Sequence, residues 1–329
     1  MRRLALLACL LGCAFAHAAA AGEPTVEAAN DRRIAITFDD LPWQWAGRLH
    51  ADVFAARHAK LIEALRASGI TGVGFVNEHE LEVGGQVDPA RVQMLRDWLD
   101  AGWELGNHTY AHVDYHAVGL EAFEEEVLKG ERQLRPLLAQ RGVAPQWFRP
   151  PYLRVGRTPE ERVALEGFLA THGYRVAPVT VNSSEWIWAN AYQKTLDGGS
   201  SDADKQATLL QLRTEYVAYM LAKLDFYERQ SERLLGYALP QVFLLHANEI
   251  NADTFQALIA GMKERRYRFV SLEEALRDPA YAREDGYRGP YGLSWLHRWA
   301  TTEQRPYSFF MGEPKVPQWV MDAAGVDSE

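Results

Sequence analysis

About seven apolar runs of strand length, starting near Arg33, Thr71, Trp103, Trp147, Arg175, Gln241 and Arg268, alternate along the chain with stretches of helical periodicity. This alternation constrains the fold more than any other feature. Strands separated by helices pair in parallel and need helices to cover the sheet, which makes an α/β architecture. About seven such units favour a distorted (β/α) barrel over an open sheet. The chain's 329 residues exceed one domain of ~150 residues but lie within reach of a single barrel. Helix boundaries are marked by Asp88-Pro89 with Gly102 beyond, by the capping box Thr158-Pro159-Glu160-Glu161 closed off at Gly173, and by Ser271-Leu272-Glu273-Glu274. No internal repeat is present.

Four of the runs end on side chains that can do chemistry. Ile34-Ala35-Ile36-Thr37-Phe38 leads into Asp39-Asp40, and neighbouring side chains can share one site only where a strand is ending. Two adjacent acids also repel unless a cation compensates. Trp103-Glu104-Leu105-Gly106 leads into Asn107-His108-Thr109-Tyr110-Ala111-His112, whose histidines at i and i+4 share the side of a helical turn that zinc ligation needs. His116 continues the spacing as a decoy or an alternative ligand. Trp147-Phe148 leads into Arg149-Pro150-Pro151-Tyr152, a stiff loop able to set an Arg beside a carboxylate. Val242-Phe243-Leu244-Leu245 ends on His246. Each has an ordinary explanation when taken alone: solvated turn aspartates, a surface histidine pair, a strand-exit turn, a satisfied core histidine. Taken together, they put four catalytic residue types on the carboxyl rim, where barrels gather such groups. Asp40, His108 and His112 make two nitrogens and one carboxylate, a set that leaves a position open for water.

Composition fixes the context. Hydrophobic residues are 47% and charged residues 24%, which excludes disordered and fibrous classes. The net charge of -9 argues against sequence-independent nucleic-acid binding, which needs clustered Lys and Arg. Arg2-Arg3, the apolar run Leu4 to Phe15 and the small residues after His17 read as a secretory signal over 1–20, too short to span a bilayer. The rivals are a lipoprotein signal ending at Leu11-Gly12-Cys13, with a very short apolar region, and a buried N-terminal helix. Cleavage would remove both cysteines and two of the 35 basic residues but no acid, leaving 33 against 44 and a balance of -11. The expected mature protein is exported, periplasmic or secreted. It contains no thiol and no transmembrane segment, so any metal is held by oxygen and nitrogen.

In Thr37-Phe38-Asp39-Asp40, His108-Thr109-Tyr110-Ala111-His112, Arg149-Pro150-Pro151-Tyr152 and Leu244-Leu245-His246, taken in that order, the chain resembles the polysaccharide deacetylase, or NodB-homology, family of metal-dependent carbohydrate esterases. The resemblance runs from about Arg33 to Leu276. It implies a distorted barrel of that type and one divalent transition metal, most plausibly zinc, on Asp40, His108 and His112. It assigns Asp39 as general base oriented by Arg149, His246 as the acid that protonates the departing amine, and the backbone N–H of Tyr152 as an oxyanion donor. The implied reaction removes acetyl groups from an N-acetylated glycan. A small-amide or cyclic-amide hydrolase of the same fold and a non-catalytic glycan-binding protein are the alternatives.

Two departures bear on the site. Leu41-Pro42 follows the paired aspartates where the family usually has Gly. Asn182 stands where the family often has an Asp four residues before the Trp, here Trp186, and Glu185 replaces a second common Asp. An acid partner favours imidazolium, so the loss at 182 is expected to leave His246 less basic unless Glu185 substitutes. Trp43 and Trp186 are candidate sugar platforms, whereas Trp103 and Trp147 read as core. The expected organisation is a signal (1–20), a linker (21–32), a catalytic domain (33–282) with a helical insertion (190–236), and an aromatic, Pro-rich extension (283–329). The long helical pattern at 203–235 offers a face that an oligomer interface would use.

Overall fold

The computed structural model describes residues 31–199 and 201–329; the signal sequence, Cys13 and most of the linker lie outside them. Seven parallel strands form the sheet: β1 (Arg33–Leu41), β2 (Gly72–Val76), β3 (Glu104–Asn107), β4 (Trp147–Phe148), β5 (Arg175–Val176), β6 (Gln241–His246) and β7 (Arg268–Phe269). All seven begin within one residue of where the sequence places them. Their order is β5-β4-β3-β2-β1-β6, with β7 paired to the first residues of β1. The chain leaving β5 then curls the sheet round on itself. Val181 bridges Phe243 of β6, and the amides of Thr180 and Val181 both donate to the Val242 carbonyl (3.0 Å each). The result is a small barrel, distorted because β4, β5 and β7 each pair over only two residues.

Strand periodicity sorts side chains between two cores. Ala35 of β1 packs with Val73, Phe75, Trp147, Ala177 and Val242 in a small interior cluster. Ile34, Ile36 and Phe38 pack outward against the helices. Thr37 and Asp39 continue the inward row of Ala35, so Asp39 caps the barrel interior. Gly72 lets β1 and the Trp103 ring close on β2: a Cβ there would stand 2.1 Å from the Ile36 carbonyl oxygen and 2.6 Å from the Trp103 ring.

The helix signals work as the sequence implies. Asp88 accepts from Ala90 N, Thr158 from Glu161 N and Ser271 from Glu274 N. The insertion is two helices, Glu185–Asp197 and Asp202–Leu235. The first therefore starts five residues before the expected boundary, because Ile187, Trp188, Ala191 and Tyr192 form a buried face. The C-terminal extension is folded into the same core. It forms helices Trp295–Thr302 and Gln318–Ala324, and it buries Trp299 and Phe309. Lys223 of the long helix, itself buried, forms an ion pair with Glu313 of the extension. No helix among the described residues is long and apolar enough to cross a membrane.

Candidate active site

The candidate residues converge at the carboxyl ends of β1, β3, β4 and β6. Pairing of β1 with β2 skips from Phe38 to Leu41, and Asp40 in this bulge has left-handed backbone (φ 61°). On a regular strand Asp40 would face away from Asp39; the bulge turns it to the same rim. Asp39 pairs across the sheet with His246.

The two histidines do not lie on a helical turn, contrary to the expectation from their spacing. His108 leaves β3 into an irregular loop in which Thr109 (φ 70°) and His112 (φ 53°) are left-handed, and this reversal brings the rings together at 4.9 Å. Asn107 holds the loop: its Oδ1 accepts from Thr109 N (2.7 Å) and its Nδ2 donates to Val127 O (2.9 Å). His108 Nδ1 donates to the Arg149 carbonyl at 2.6 Å. A carbonyl only accepts, so this bond fixes the tautomer and leaves Nε2 unprotonated toward the acids. Nε2 lies 3.7 Å from Asp39 Oδ2 and 3.7 Å from Asp40 Oδ1; His112 Nε2 lies 3.8 Å from the same Asp40 oxygen. Ligand atoms of Asp40, His108 and His112 lie within 4.8 Å of one another.

This donor set fits a divalent transition metal, with two imidazoles and one carboxylate spaced for a common ion. Burial pushes His108 down to about 4 against the pull of Asp39 and Asp40, keeping it the neutral imidazole that ligation needs. Burial acts to raise Asp40, yet His112, His246, His108 and a bond from Gln44 (3.4 Å) together hold it below the ordinary carboxylate value. His116 stands apart from the cluster and accepts from Gly156 N at 3.2 Å.

Arg149 is wholly buried at the top of the barrel interior. Its Nε donates to Ala177 O (2.8 Å), its Nη2 to Thr37 Oγ1 (3.2 Å) and its Nη1 to both oxygens of Asp39 (3.3 and 3.4 Å), with the guanidinium 4.5 Å from the centre of the Phe75 ring. Thr37 in turn donates to Phe243 O (3.0 Å), so the inward row of β1 sets the orientation of the Arg149–Asp39 pair. Tyr152 has φ 55°, and its half-exposed ring stands edge-on to His112 at 4.6 Å.

At His246 the structure takes the alternative that the sequence left open, with Glu185 substituting for the missing carboxylate. The imidazole Nδ1 donates to Glu185, at the start of helix Glu185–Asp197, while Asn182 turns elsewhere. Burial acts to lower His246, but the charge of Glu185 and its hydrogen bond, with smaller contributions from Asp40 and Asp39, raise it to about 9. Glu185 is held by Asn248 Nδ2 and Asn251 Nδ2 (2.7 Å each), and Asn248 also donates to Gln44 (3.1 Å), which bonds Asp40. Sequence reasoning passed over Gln44, Asn248 and Asn251. The closely spaced Asn248, Glu249 and Asn251 just beyond His246 were the available signal for the two asparagines.

Trp43 is also corrected. It is fully buried, packs on Phe54 and donates to Glu249 Oε1 (3.2 Å), so it has no face for a ligand. The cis Leu41-Pro42 bond immediately precedes it. Trp186 remains 39% exposed, next to Glu185.

Fold and cluster define a parallel barrel protein with a carboxylate–imidazole constellation suited to a metal at its carboxyl rim. The family model for polysaccharide deacetylase matches residues 27–170, and the chain is similar to that family over this segment. The matched segment contains Asp39, Asp40, His108, His112, Arg149 and Tyr152; Glu185 and His246 lie beyond it. No curated protein matches the sequence. Similar solved structures include a polysaccharide deacetylase from Bacillus cereus (16% identity, 73% of this chain and 91% of that one, TM-score 0.48). A family 4 carbohydrate esterase from Streptomyces lividans is 18% identical over 75% of this chain and 97% of its own (TM-score 0.46). A CE4 family pseudoenzyme from Bacillus anthracis is 15% identical over 75% and 66% (TM-score 0.46).

Proposed function

We propose that the protein is an exported, metal-dependent hydrolase that removes acetyl groups from an N-acetylated glycan. The observation that carries this reading is the grouping of Asp40, His108 and His112 within 4.8 Å, beside Asp39 and His246, which pair across adjacent strands. A divalent transition metal on those three residues, zinc by the donor set, would supply Lewis acidity to the amide carbonyl and ease deprotonation of water. Asp39, held by Arg149, takes a proton from the attacking water as its oxygen bonds the acetyl carbon. The backbone N–H of Tyr152 receives the developing oxyanion. His246 gives its Nε2 proton to the amide nitrogen as the C–N bond breaks, releasing acetate and a free amine. Trp186 offers an apolar face to the sugar ring.

The pairing of His246 with Glu185 favours a working acid, and so favours an enzyme over a non-catalytic glycan binder of the same fold. The test is acetate release from N-acetylglucosamine oligomers and from acetylated xylan. Metal-loaded protein is expected to release acetate, and chelation to abolish release until metal is restored. Glycan binding with no acetate from any of these substrates would sink the enzyme reading. Export rests on residues 1–20 of the sequence. It predicts that protein recovered from the periplasm or medium lacks both cysteines, as read by the mass of the intact chain; a chain retaining Cys9 and Cys13 would refute cleavage.

A further inference from the structure

We propose that the C-terminal extension supplies a sugar subsite of its own, with Tyr291 as a stacking platform for a pyranose ring next to the residue that loses its acetyl group. The inference rests on the deacetylase reading and identifies which part of the chain recognises the polymer. Residues beyond 283 lie outside the segment that matches the family and carry none of the four strand-end motifs.

The extension is nevertheless stitched to two loops of the site. Gly292 approaches the Arg149–Tyr152 loop so closely that a Cβ would stand 2.0 Å from the Tyr152 carbonyl oxygen, a contact only glycine permits. Its own carbonyl accepts from Asn182 Nδ2 at 2.8 Å. Ser294 Oγ donates to Thr180 O (2.6 Å), Trp295 N to Val179 O (2.8 Å), and the buried Arg298 to Leu153 O (2.9 Å). Asn182, which departs from the family pattern, therefore anchors the extension, and the acid's carboxylate partner comes from Glu185 instead.

Tyr291 directly precedes Gly292 and is 69% exposed. It is thus tied by its backbone neighbour to Tyr152, whose ring touches His112. A residue this exposed is not accounted for by core packing. Aromatic faces suit the apolar CH face of a pyranose, and a platform on a bound strap loses little entropy when a ligand arrives. The occupant that fits is a neighbouring unit of a glycan chain.

The test compares an N-acetylglucosamine disaccharide with a hexasaccharide in wild type, Tyr291→Ala, Tyr291→Trp and Tyr307→Ala. Tyr307 is an exposed tyrosine of the same extension, in a turn held by Gln230 and Arg233. Tyr291→Ala is expected to cut the preference in kcat/KM for the hexasaccharide about tenfold, mainly through KM, while Tyr291→Trp retains it and Tyr307→Ala leaves it unchanged. Hexasaccharide binding to metal-free protein, measured by calorimetry, is expected to weaken by the same factor in Tyr291→Ala. An unaltered preference and unaltered binding in Tyr291→Ala would overturn the subsite. Absence of acetate release by wild type from either oligomer would sink the deacetylase reading alone, since calorimetry on metal-free protein still decides the subsite.

Discussion

Asp39→Asn is expected to keep its metal and lose turnover, with kcat falling by about 10²–10⁴-fold. The substitution keeps side-chain shape and retains one oxygen for Arg149 Nη1, so the barrel top stays packed around Thr37, Phe75 and Ala177. An amide, however, cannot take a proton from water. The residues that could hold the metal are Asp40, His108 and His112, so the substitution removes none of them. His112→Ala is the counterpart: it deletes a ligand and should lose metal and turnover together. Metal content of the purified protein, read beside acetate release, separates the two variants. Turnover surviving in Asp39→Asn would mean that another group serves as base, and full metal occupancy in His112→Ala would remove that histidine from the ligand set.

The longer strands were legible from the sequence because parallel barrel strands are buried on both faces and read as continuous apolar runs, whereas the two-residue β5 and β7 each start on an exposed Arg. The pairing closure was not legible. It is made by Thr180 and Val181, which leave β5 as an irregular segment and bond β6 without forming a named strand. In the site, residue identities were legible and local geometry was not. The spacing of His108 and His112 suggested a helical turn, while the structure uses left-handed residues at Thr109 and His112 that no propensity announces. Asp40 reaches the rim through a bulge, for the same reason hidden from a period-two reading. Trp43 misled because an aromatic beside a motif is equally a core residue, and only its contact with Phe54 and Glu249 decides which. Asn182 misled in the opposite direction. Its distance in sequence from Trp186 matched a familiar partner position, yet the amide is spent on Gly292 and the partnership passes to Glu185.

That transfer leads to the second large effect, expected for Glu185→Gln. In metal-free wild type, the His246 imidazole is expected to titrate near pH 9, because the charge and hydrogen bond of Glu185, with Asp40 and Asp39, together outweigh the burial that would otherwise depress it. Glutamine keeps an oxygen for Asn248 and Asn251 but carries no charge. Burial then acts with far less opposition, and the imidazole should titrate below its ordinary value of 6.5. At pH 7.5 roughly nine-tenths of the molecules would hold a neutral ring with no acidic proton for the leaving amine. Turnover at that pH should fall at least about tenfold, and the alkaline limb of the activity profile should move to lower pH. The stability sign agrees: a group raised on folding stabilises fully below its unfolded value, and that contribution fades as pH climbs through about 9. Wild type should therefore lose this increment between pH 6.5 and about 9, and Glu185→Gln should show no such loss. Histidine proton shifts followed by NMR in metal-free protein give the titration directly, and urea midpoints across the same pH range give the linkage. A His246 titration that stays near pH 9 in Glu185→Gln would mean that the paired aspartates, rather than Glu185, keep the acid charged. In that case Asn182 would be a silent departure, and neither it nor Glu185 would set the charge of His246.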